Sequence, residues 1–185
     1  MDKALLRQNM KQMRAQLTEQ ERDEFAQQAA DRLLGSEILI KCENVALFSS
    51  IGSEIDTSPL FTGLMDSGRR AFFPKMDKSS RSLSWGPAQT LASMVEGPYG
   101  VLEPKSATYS VAELDMIVVP GLGFGLNGGR LGYGAGWYDR TLELFEGPVV
   151  ALGFDCQVPE AVPTEVHDHP VHWIFTELRA IPIGD

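Results

Sequence analysis

Apolar residues in the first 35 positions recur every three or four residues, the spacing of one helix face. They fall into two groups: Leu5, Leu6, Met10, Met13 and Leu17, then Phe25, Ala29 and Leu33. Between the groups, Thr18 is followed three residues later by Glu21, the pattern of a capping box that starts a helix. Gly35 follows the last apolar position and ends the second helix. The pattern predicts a pair of helices at the N-terminus.

Beyond residue 44 the pattern changes to short apolar runs separated by turns and helical stretches. Strands are predicted at residues 45–48, 70–73, 115–119, 149–154 and 173–175, with Pro74 and Pro120 ending the second and third. Helices are predicted at 57–68 and 137–145, and residues 82–100 and 121–136 are rich in loop formers. The alternation predicts one α/β domain over residues 1–185, with a mostly parallel sheet and helices on both faces.

Composition and charge limit the compartment and the partners. The chain has 185 residues, 43% of them hydrophobic, and a formal net charge of −9. This balance offers no basic field for nucleic acid or an anionic membrane, and no apolar run approaches the ~20 residues of a membrane span. The start lacks the apolar core of a signal peptide, and Cys42 and Cys156 have no CxxC neighbour. We expect a cytoplasmic monomer whose cysteines serve ordinary packing.

The segment after the third predicted strand carries the strongest chemical signal. Glycines at positions 132, 134 and 136 stand between a buried strand and a helix, where backbone N–H groups can close around an anion such as phosphate. Arg130, Tyr133, Trp137, Tyr138 and Asp139 accompany them. A merely flexible loop has no need of a cation, three aromatic rings and a carboxylate. No Walker A sequence occurs, and Gly132, Gly134 and Gly136 do not have the G-x-G-x-x-G spacing, so these common nucleotide motifs do not explain the glycines that precede the helix.

This segment resembles the signature of the 5-formyltetrahydrofolate cyclo-ligase family, also called methenyltetrahydrofolate synthetases. The signature is approximately Pro-Gly-x-x-Phe-Asp-x-x-Gly-x-Arg-Leu-Gly-x-Gly-x-Gly-Tyr-Tyr-Asp-Arg, which residues 120–140 follow with two departures. Gly125 stands in place of Asp, and Trp137 in place of the first Tyr. Further matches lie at residues 3–7, 54–57, 73–75, 99–104 and 162–177. The resemblance therefore covers most of the chain.

The resemblance implies an ATP-dependent ring closure on an architecture related to ribose-phosphate isomerases and CoA-transferases. In the family, ATP with Mg²⁺ phosphorylates the formyl oxygen of 5-formyltetrahydrofolate, and N10 then attacks the activated carbon. Loss of phosphate gives 5,10-methenyltetrahydrofolate, ADP and inorganic phosphate. The implied partners are these two small-molecule substrates, and the implied cofactor is Mg²⁺.

The resemblance also assigns roles to residues. ATP is expected to contact Lys3, Arg7, Lys75, Arg130, Leu131, Gly132, Tyr133, Gly134, Ala135, Gly136, Trp137 and Tyr138. Arg130 and Tyr138 are the candidate catalytic residues. The folate substrate is expected to contact Ser49, Glu54, Tyr133, Trp137 and Tyr138, and Mg²⁺ to be bound by Asp139 and Asp168. The phosphate and metal roles agree with the chemistry of these side chains, since Mg²⁺ prefers carboxylate and phosphate oxygens.

Several of these residues also have ordinary structural interpretations. Lys3 and Arg7 lie four residues apart, as in an exposed basic helix face. Asp139 is a favourable charge near a helix start, and Trp137 suits a core. His167, His169 and His172 suggest a transition-metal site, but Pro170 interrupts their spacing and no cysteine lies nearby. We expect a polar loop there.

Two other classes of function stay open. The first is a phosphate-ligand isomerase or transferase on a similar scaffold, which would need a general base for proton abstraction. The second is a folate or nucleotide binder without activity, which the departure at Gly125 permits. Fold alone cannot separate these classes.

Overall fold

The predicted helices and strands occur in the predicted order. The computed structural model describes residues 2–166 and 168–184. The helices are α1 (Lys3–Ala15), α2 (Glu19–Leu34), α3 (Ser58–Asp66) and α4 (Trp137–Leu142). The strands are β1 (Asn44–Ala46), β2 (Arg70–Asp77), β3 (Ser82–Pro87), β4 (Val95–Glu96), β5 (Leu102–Glu103), β6 (Met116–Val119), β7 (Gly123–Phe124), β8 (Arg130–Leu131), β9 (Val149–Leu152), β10 (Trp173–Phe175) and β11 (Ala180–Pro182). Among the described residues, the structure thus adds six strands that the sequence pattern does not predict, β3, β4, β5, β7, β8 and β11.

The main sheet has seven strands in the order β11-β10-β9-β6-β1-β2-β3. The five strands from β10 to β2 in this order run parallel to their neighbours. The edge strands β11 and β3 pair antiparallel with β10 and β2. The prediction of a mostly parallel α/β sheet is therefore confirmed.

Side chains of β6 show why both faces of the sheet are covered. Met116 and Val118 belong to a core that includes residues of α2 and α3. Ile117 and Val119 point to the opposite face and belong to a second core, which includes Leu142 of α4. All four β6 residues are fully buried, because alternate residues of a strand face opposite sides of a sheet. The predicted helices on both faces are present.

The helical pair begins and ends where its capping signals lie. Thr18 accepts a hydrogen bond from the N–H of Glu21, whose side chain binds the N–H of Thr18 in return, and Gly35 is the C-cap of α2. The second helix of the pair thus follows local sequence signals closely.

The two cysteines are free thiols, with Cys42 buried and Cys156 half-buried. Burial raises the pKa of both thiols.

The prediction that Pro74 ends its strand is wrong, since β2 continues to Asp77 and pairs with β3 inside the segment expected to be loop. Pro74 lies opposite Trp85, whose backbone N–H and C=O both bond to Tyr109 on the far side of β3. Because the backbone groups of Trp85 are already paired with Tyr109, the hydrogen bonds between β2 and β3 require no N–H at position 74. The other neighbouring strand, β1, pairs with β2 only as far as Phe72. A proline is tolerated there because no donor is missing.

Several predicted elements are longer in the sequence pattern than in the structure, and α4 and β9 show the reason. Helix α4 ends at Leu142 instead of residue 145, and Phe145 turns back into the second core, where it is 7% exposed. Strand β9 ends at Leu152, and the N–H of Phe154 binds the side chain of Gln157. In both cases the apolar pattern continues because tertiary packing, not the element itself, buries the residue.

Helix α1 is attached to the domain by a small apolar cluster of its own. Leu6 and Met10 pack with Leu122, Leu131 and Val162, and these five buried residues form a group separate from the two main cores. The position of α1 thus depends on few apolar contacts.

Within the described residues, every helix falls short of the length and apolar character that a membrane span requires.

We predict that Leu6→Ala loosens α1 before it loosens the sheet. Removing a buried Leu side chain from a small cluster costs about 2 kcal/mol, so amides of α1 should exchange with solvent roughly 30-fold faster, as local opening becomes easier. Native-state hydrogen exchange measures this difference. Leu5→Ala on the same helix is the control, since Leu5 is 52% exposed. Equal loss of protection in α1 and β6 would contradict separate docking.

Candidate active site

A cavity of about 910 Å³ opens at the carboxyl edge of the parallel strands. Residues following β1, the end of β2 and the segment after β6 contribute to its wall, together with one face of α1. We call it the carboxyl-edge cavity. Its lining includes these residues singled out in the sequence: Lys3, Arg7, Ser49, Glu54, Arg130, Leu131, Gly132, Tyr133, Gly134, Ala135, Gly136, Trp137, Tyr138, Asp139 and Asp168. In open α/β sheets, this edge is where ligands bind.

Lys75 is the predicted site residue that does not line the carboxyl-edge cavity. It lies in β2 opposite Ser84, and its Nζ donates to the backbone oxygen of Lys105 at 3.0 Å. The continuation of β2 beyond Pro74 accounts for this position. The neighbouring strand residues Pro74 and Met76 line the cavity in its place, because successive side chains of a strand point to opposite faces.

The glycine loop, residues 132–136, connects β8 to α4 beneath the side chain of Arg7. Arg7 Nε donates to the backbone oxygen of Gly132 at 2.9 Å. A Cβ at Gly134 would meet Arg7 Nη2 at 3.7 Å, which shows how closely the guanidinium lies over the loop. Gly134 and Gly136 have φ of +99° and +68°, conformations that residues with a side chain rarely adopt. The loop therefore needs glycine at these two positions to pass under Arg7 and enter α4.

Arg130 supplies a fixed positive charge beside this loop. Its Nη2 donates to Asp139 Oδ1 at 2.6 Å, and its guanidinium lies 5.5 Å from the centre of the Tyr138 ring. The side chain is only 5% exposed, yet its Nε is buried without a hydrogen-bond partner among the described residues. A buried donor without a partner is costly. Arg130 is thus oriented by Asp139 and Tyr138 and retains an unused donor.

Lys3 brings a second cation to the cavity from the first turn of α1. Its Nζ lies 2.7 Å from Glu165 Oε1 and 2.8 Å from Asp168 Oδ2. Burial alone would lower the pKa of the Lys3 ammonium, but the hydrogen bonds and charges of the two carboxylates outweigh burial and raise it. Lys3 therefore carries its positive charge at neutral pH and is held against the loop that contains Asp168.

Glu54 and Ser49, which follow β1, form another part of the wall. Glu54 Oε2 accepts a hydrogen bond from Ile51 N at 3.1 Å, and the side chain interacts with the Tyr133 hydroxyl. Burial raises the pKa of the Glu54 carboxyl, whereas these hydrogen bonds and the charge of Arg14 lower it. Ser49 Oγ donates to a backbone oxygen, that of Leu102. Glu54 is therefore a desolvated carboxylate facing the cavity, and Ser49 is engaged with the chain itself.

Aromatic rings line the cavity between the cations and Glu54. Tyr133, Trp137 and Tyr138 all contribute, as predicted from their positions in the sequence. Burial, followed by the negative charge of Glu54, raises the pKa of Tyr138 above its ordinary value. Its phenol is therefore protonated at neutral pH and is a hydrogen-bond donor, not a base.

Among the features to which the sequence analysis assigned no role, Tyr99 and Arg14 stand out. Tyr99 lines the rim with φ +61°, 74% exposed, and belongs to a turn between β4 and β5 that the apolar pattern does not reveal. Arg14 is 5% exposed and donates to Tyr133. A signal for Arg14 was present: it continues the four-residue spacing of Leu6 and Met10, so it lies on the buried face of α1.

Known proteins that are similar to this chain in sequence, and others that are similar in fold, indicate its family. A model of the 5-formyltetrahydrofolate cyclo-ligase family matches residues 1–177. The 5-formyltetrahydrofolate cyclo-ligase of Escherichia coli is 32% identical over 177 residues, which cover 92% of this chain and 97% of that protein. The chain belongs to the 5-formyltetrahydrofolate cyclo-ligase family. The cyclo-ligase of Mycolicibacterium smegmatis is 29% identical over 188 residues, covering 97% of this chain and 95% of the relative.

Solved structures agree with this assignment. The NMR structure of 5,10-methenyltetrahydrofolate synthetase from Aquifex aeolicus matches with a TM-score of 0.88 and 31% sequence identity, covering 100% of this chain and 94% of the other. A synthetase from Mycoplasma pneumoniae matches with a TM-score of 0.77 at 22% identity, which bears on the fold alone. The predictions of the cyclo-ligase family and of its α/β fold are confirmed.

The departure from the family signature at Gly125 lies outside the carboxyl-edge cavity. A Cβ there would clash with Asn127 Oδ1 and would stand 2.5 Å from Val162 N. Asn127 is fixed in this place because its amide donates to Val162 O at 3.0 Å and its Oδ1 accepts from Val162 N at 3.1 Å. The missing carboxylate therefore removes no group from the cavity wall of this cyclo-ligase family member.

The carboxylates predicted to bind Mg²⁺ line the same cavity, and each is paired with a cation, Asp139 with Arg130 and Asp168 with Lys3. The described residues contain no group of three or more His, Cys, Asp or Glu side chains arranged to hold a metal. Two carboxylates nevertheless suit Mg²⁺, which is commonly bound by one or two carboxylates together with substrate phosphates. The donor set therefore fits Mg²⁺ bound jointly with a nucleotide.

His169 and His172 do not line the carboxyl-edge cavity. His172 Nδ1 accepts a hydrogen bond from Val149 N at 2.9 Å, and His169 Nδ1 lies 3.2 Å from Pro170 O. His167 lies outside the described residues. His169 and His172 thus contact the backbone, as the interpretation of a polar loop expects.

Proposed function

We propose that the protein catalyses the ATP-dependent cyclisation of 5-formyltetrahydrofolate to 5,10-methenyltetrahydrofolate, with release of ADP and phosphate. The observation that supports this most is the composition of one cavity in a member of the cyclo-ligase family. Its wall combines cations and a glycine loop, which suit a polyphosphate, with a desolvated carboxylate and aromatic rings, which suit a folate. A reaction between ATP and a folate needs both sets of groups within reach of each other.

The nucleotide half of the site consists of cations from two parts of the chain around the glycine loop. We propose that Lys3 and Arg7 bind the polyphosphate from α1, and that Arg130 faces the phosphoryl group being transferred. The unpartnered Nε of Arg130 supports this role, because a phosphate oxygen would satisfy it. The backbone of residues 131–136, with the rings of Tyr133, Trp137 and Tyr138, completes the proposed ATP contacts. Lys75 is left out because its ammonium binds Lys105 O.

The folate half lies next to Glu54. We propose that the Glu54 carboxylate accepts hydrogen bonds from N–H groups of the reduced pterin, while aromatic side chains contact its rings. Ser49 lines the cavity, although its hydroxyl donates to Leu102 O. A buried carboxylate that meets a ligand N–H regains the hydrogen bonds that it lost to water. Binding is therefore favoured for a ligand with donors at that place.

The chemistry needs positioning and charge neutralisation more than a covalent catalyst. A formyl oxygen is a poor leaving group until it is phosphorylated, and phosphoryl transfer is favoured by cations aligned on the oxygens that gain charge. After transfer, N10 attacks the formyl carbon and forms the bond that closes the ring; N10 loses its proton to solvent, and the C–O bond breaks as phosphate leaves. The charge of Arg130 stabilises the transferring group, and the protonated phenol of Tyr138 can donate a hydrogen bond within the site. No Ser-His-Asp triad is required.

Asp139 and Asp168 are the residues that would hold Mg²⁺. Bound there with the nucleotide, Mg²⁺ would neutralise phosphate charge and fix the geometry of the phosphates. Asp139 keeps Arg130 in place in the structure described here, so it serves the orientation of the cation as well.

We further propose that the protein acts on small molecules alone, as a monomer in the cytoplasm. The net charge of −9 supports the absence of a nucleic-acid partner, since the composition provides no excess of basic residues.

The activity is tested by mixing the protein with 5-formyltetrahydrofolate, Mg²⁺ and ATP. The methenyl product absorbs near the visible edge and the formyl substrate does not, so we expect an absorbance band that grows only when ATP is present. Absence of the band, together with protection of the protein against heat by the folate, would indicate a binder without activity and would contradict the proposal.

We predict that Arg130→Ala slows turnover strongly. Loss of a cation that faces a transferring phosphoryl group costs about 2–4 kcal/mol of transition-state stabilisation, which reduces kcat roughly 30- to 900-fold. Arg179→Ala is the matched control, because Arg179 is also paired with a carboxylate, Asp155 at 2.8 Å, but on the surface. An unchanged kcat for Arg130→Ala in the absorbance assay would remove Arg130 from the reaction.

We predict that Asp139→Asn raises the Mg²⁺ concentration needed for half-maximal turnover far more than it lowers the unfolding midpoint. The amide preserves the shape of the side chain but removes the charge that attracts the cation. A magnesium titration of the rate and a denaturant titration measure the two effects. Asp155→Asn provides the control. Comparable losses of turnover and stability in Asp139→Asn would assign Asp139 to folding alone.

A further inference from the structure

Arg14 is a buried cation just behind the wall of the carboxyl-edge cavity. It belongs to the last turn of α1 and is 5% exposed. Its Nε donates to Ser53 Oγ at 3.0 Å, and its Nη2 donates to the Tyr133 hydroxyl at 3.1 Å. Its Nη1 is buried without a hydrogen-bond partner among the described residues. A charge in such surroundings is costly unless an opposite charge and hydrogen bonds compensate it.

The opposite charge close to Arg14 belongs to Glu54. The guanidinium and the Tyr133 hydroxyl both interact with this carboxylate. A hydroxyl that accepts from Arg14 has its own proton available for donation. The interactions therefore run from Arg14 to Tyr133 and from both residues to Glu54, which lies in the proposed folate half of the cavity. Each member limits the directions that the next can adopt.

We propose that Arg14 is a positioning residue for the folate substrate, holding the Tyr133 hydroxyl and the Glu54 carboxylate in the orientation that binds it. This inference rests on the proposed function, because it assumes that Glu54 faces the folate. Arg14 does not line the cavity and acts through the other two residues. It thereby joins α1 to the folate half, as Lys3 and Arg7 join the same helix to the nucleotide half.

The position of Arg14 along α1 separates its effect from that of the nucleotide cations. Arg14 lies 11 residues after Lys3, which corresponds to about 16 Å along a helix. Lys3 contacts Glu165 and Asp168, whereas Arg14 contacts Ser53 and Tyr133. A change at Arg14 should therefore alter the KM for 5-formyltetrahydrofolate more than the KM for ATP.

The charge of Arg14 also affects the pH range in which Glu54 is ionised. Ionisable groups that face Glu54 are Arg14 from α1, Tyr133 from the glycine loop and Tyr138 from α4. Burial raises the pKa of the Glu54 carboxyl and Arg14 lowers it. Removal of the cation must therefore raise this pKa further. The acid limb of kcat/KM for the folate, which follows ionisation of the free enzyme, should then move to higher pH.

The test compares Arg14→Gln and Arg14→Lys with the unchanged protein in the absorbance assay. For Arg14→Gln we expect the folate KM to rise about tenfold, the size of effect that follows loss of a charged hydrogen bond, with a smaller change in the ATP KM. The acid limb should move to higher pH. Arg14→Lys retains the charge but not the planar fork that reaches both partners, so it should restore the acid limb while the folate KM stays raised.

Arg69→Gln is the matched control. Arg69 is partly buried and donates to backbone oxygens, from Nε to Cys42 at 3.0 Å and from Nη2 to Leu39 at 3.3 Å, at the end of the sheet away from the cavity. Its loss should lower the free energy of unfolding. It should neither shift the acid limb of kcat/KM nor change the folate KM more than the ATP KM. Arg14 variants that behave like Arg69→Gln would overturn the proposal.

A double-variant comparison covers the case in which Arg14→Gln does not fold. Tyr133→Phe removes the hydroxyl between Arg14 and Glu54, so adding Arg14→Lys to it should raise the folate KM less than Arg14→Lys does alone. If the folate KM of the double variant rises by the product of the two single-variant factors, the result would contradict action of Arg14 through Tyr133. Failure of the unchanged protein to form the methenyl product would instead overturn the proposed function, so the two failures are distinguishable.

Discussion

Contacts between α1 and the glycine loop are the interaction on which the rest of the site depends. Arg7 donates to the loop at Gly132, and Arg14 donates to Tyr133. Lys3, in the same helix, donates a hydrogen bond to the side chain of Asp168. Few apolar contacts hold α1 in place, so these polar contacts also decide where the helix lies. Because one rigid helix supplies groups to both proposed halves of the cavity, its placement sets the distance between nucleotide and folate.

The architecture follows from local sequence patterns where burial is regular. The capping box at Thr18 and the continuous apolar run of β6 predict their elements well, because helix caps and strands buried on both faces depend on nearby residues. The continuation of β2 past Pro74 could not be predicted in this way. Whether a proline interrupts a strand depends on which side of the ladder its nitrogen faces, and that depends on Trp85 and Tyr109, which lie farther along the chain.

Site residues were predictable where a motif combined glycines with chemically informative side chains, as between Arg130 and Asp139. Lys75 shows the limit of this approach, because it lies in a segment that matches the family, yet its ammonium binds the backbone of Lys105 and it does not line the cavity. Arg14 shows the opposite limit. Its helical spacing indicated burial, but its partners Ser53 and Tyr133 are brought to it only by the fold. A charged residue on a buried helix face therefore indicates from sequence that a partner must exist, and the tertiary structure shows which residues the partners are.

The central claim is that one cavity places the terminal phosphate of ATP beside the formyl oxygen of the folate. Transfer of an isotopic label tests it most directly. With ¹⁸O in the formyl group of 5-formyltetrahydrofolate, phosphorylation of that oxygen and its later departure must carry the label into inorganic phosphate. We expect one ¹⁸O in the phosphate released with each methenyl product, measured by mass spectrometry. Product formation with phosphate that lacks the label would contradict it.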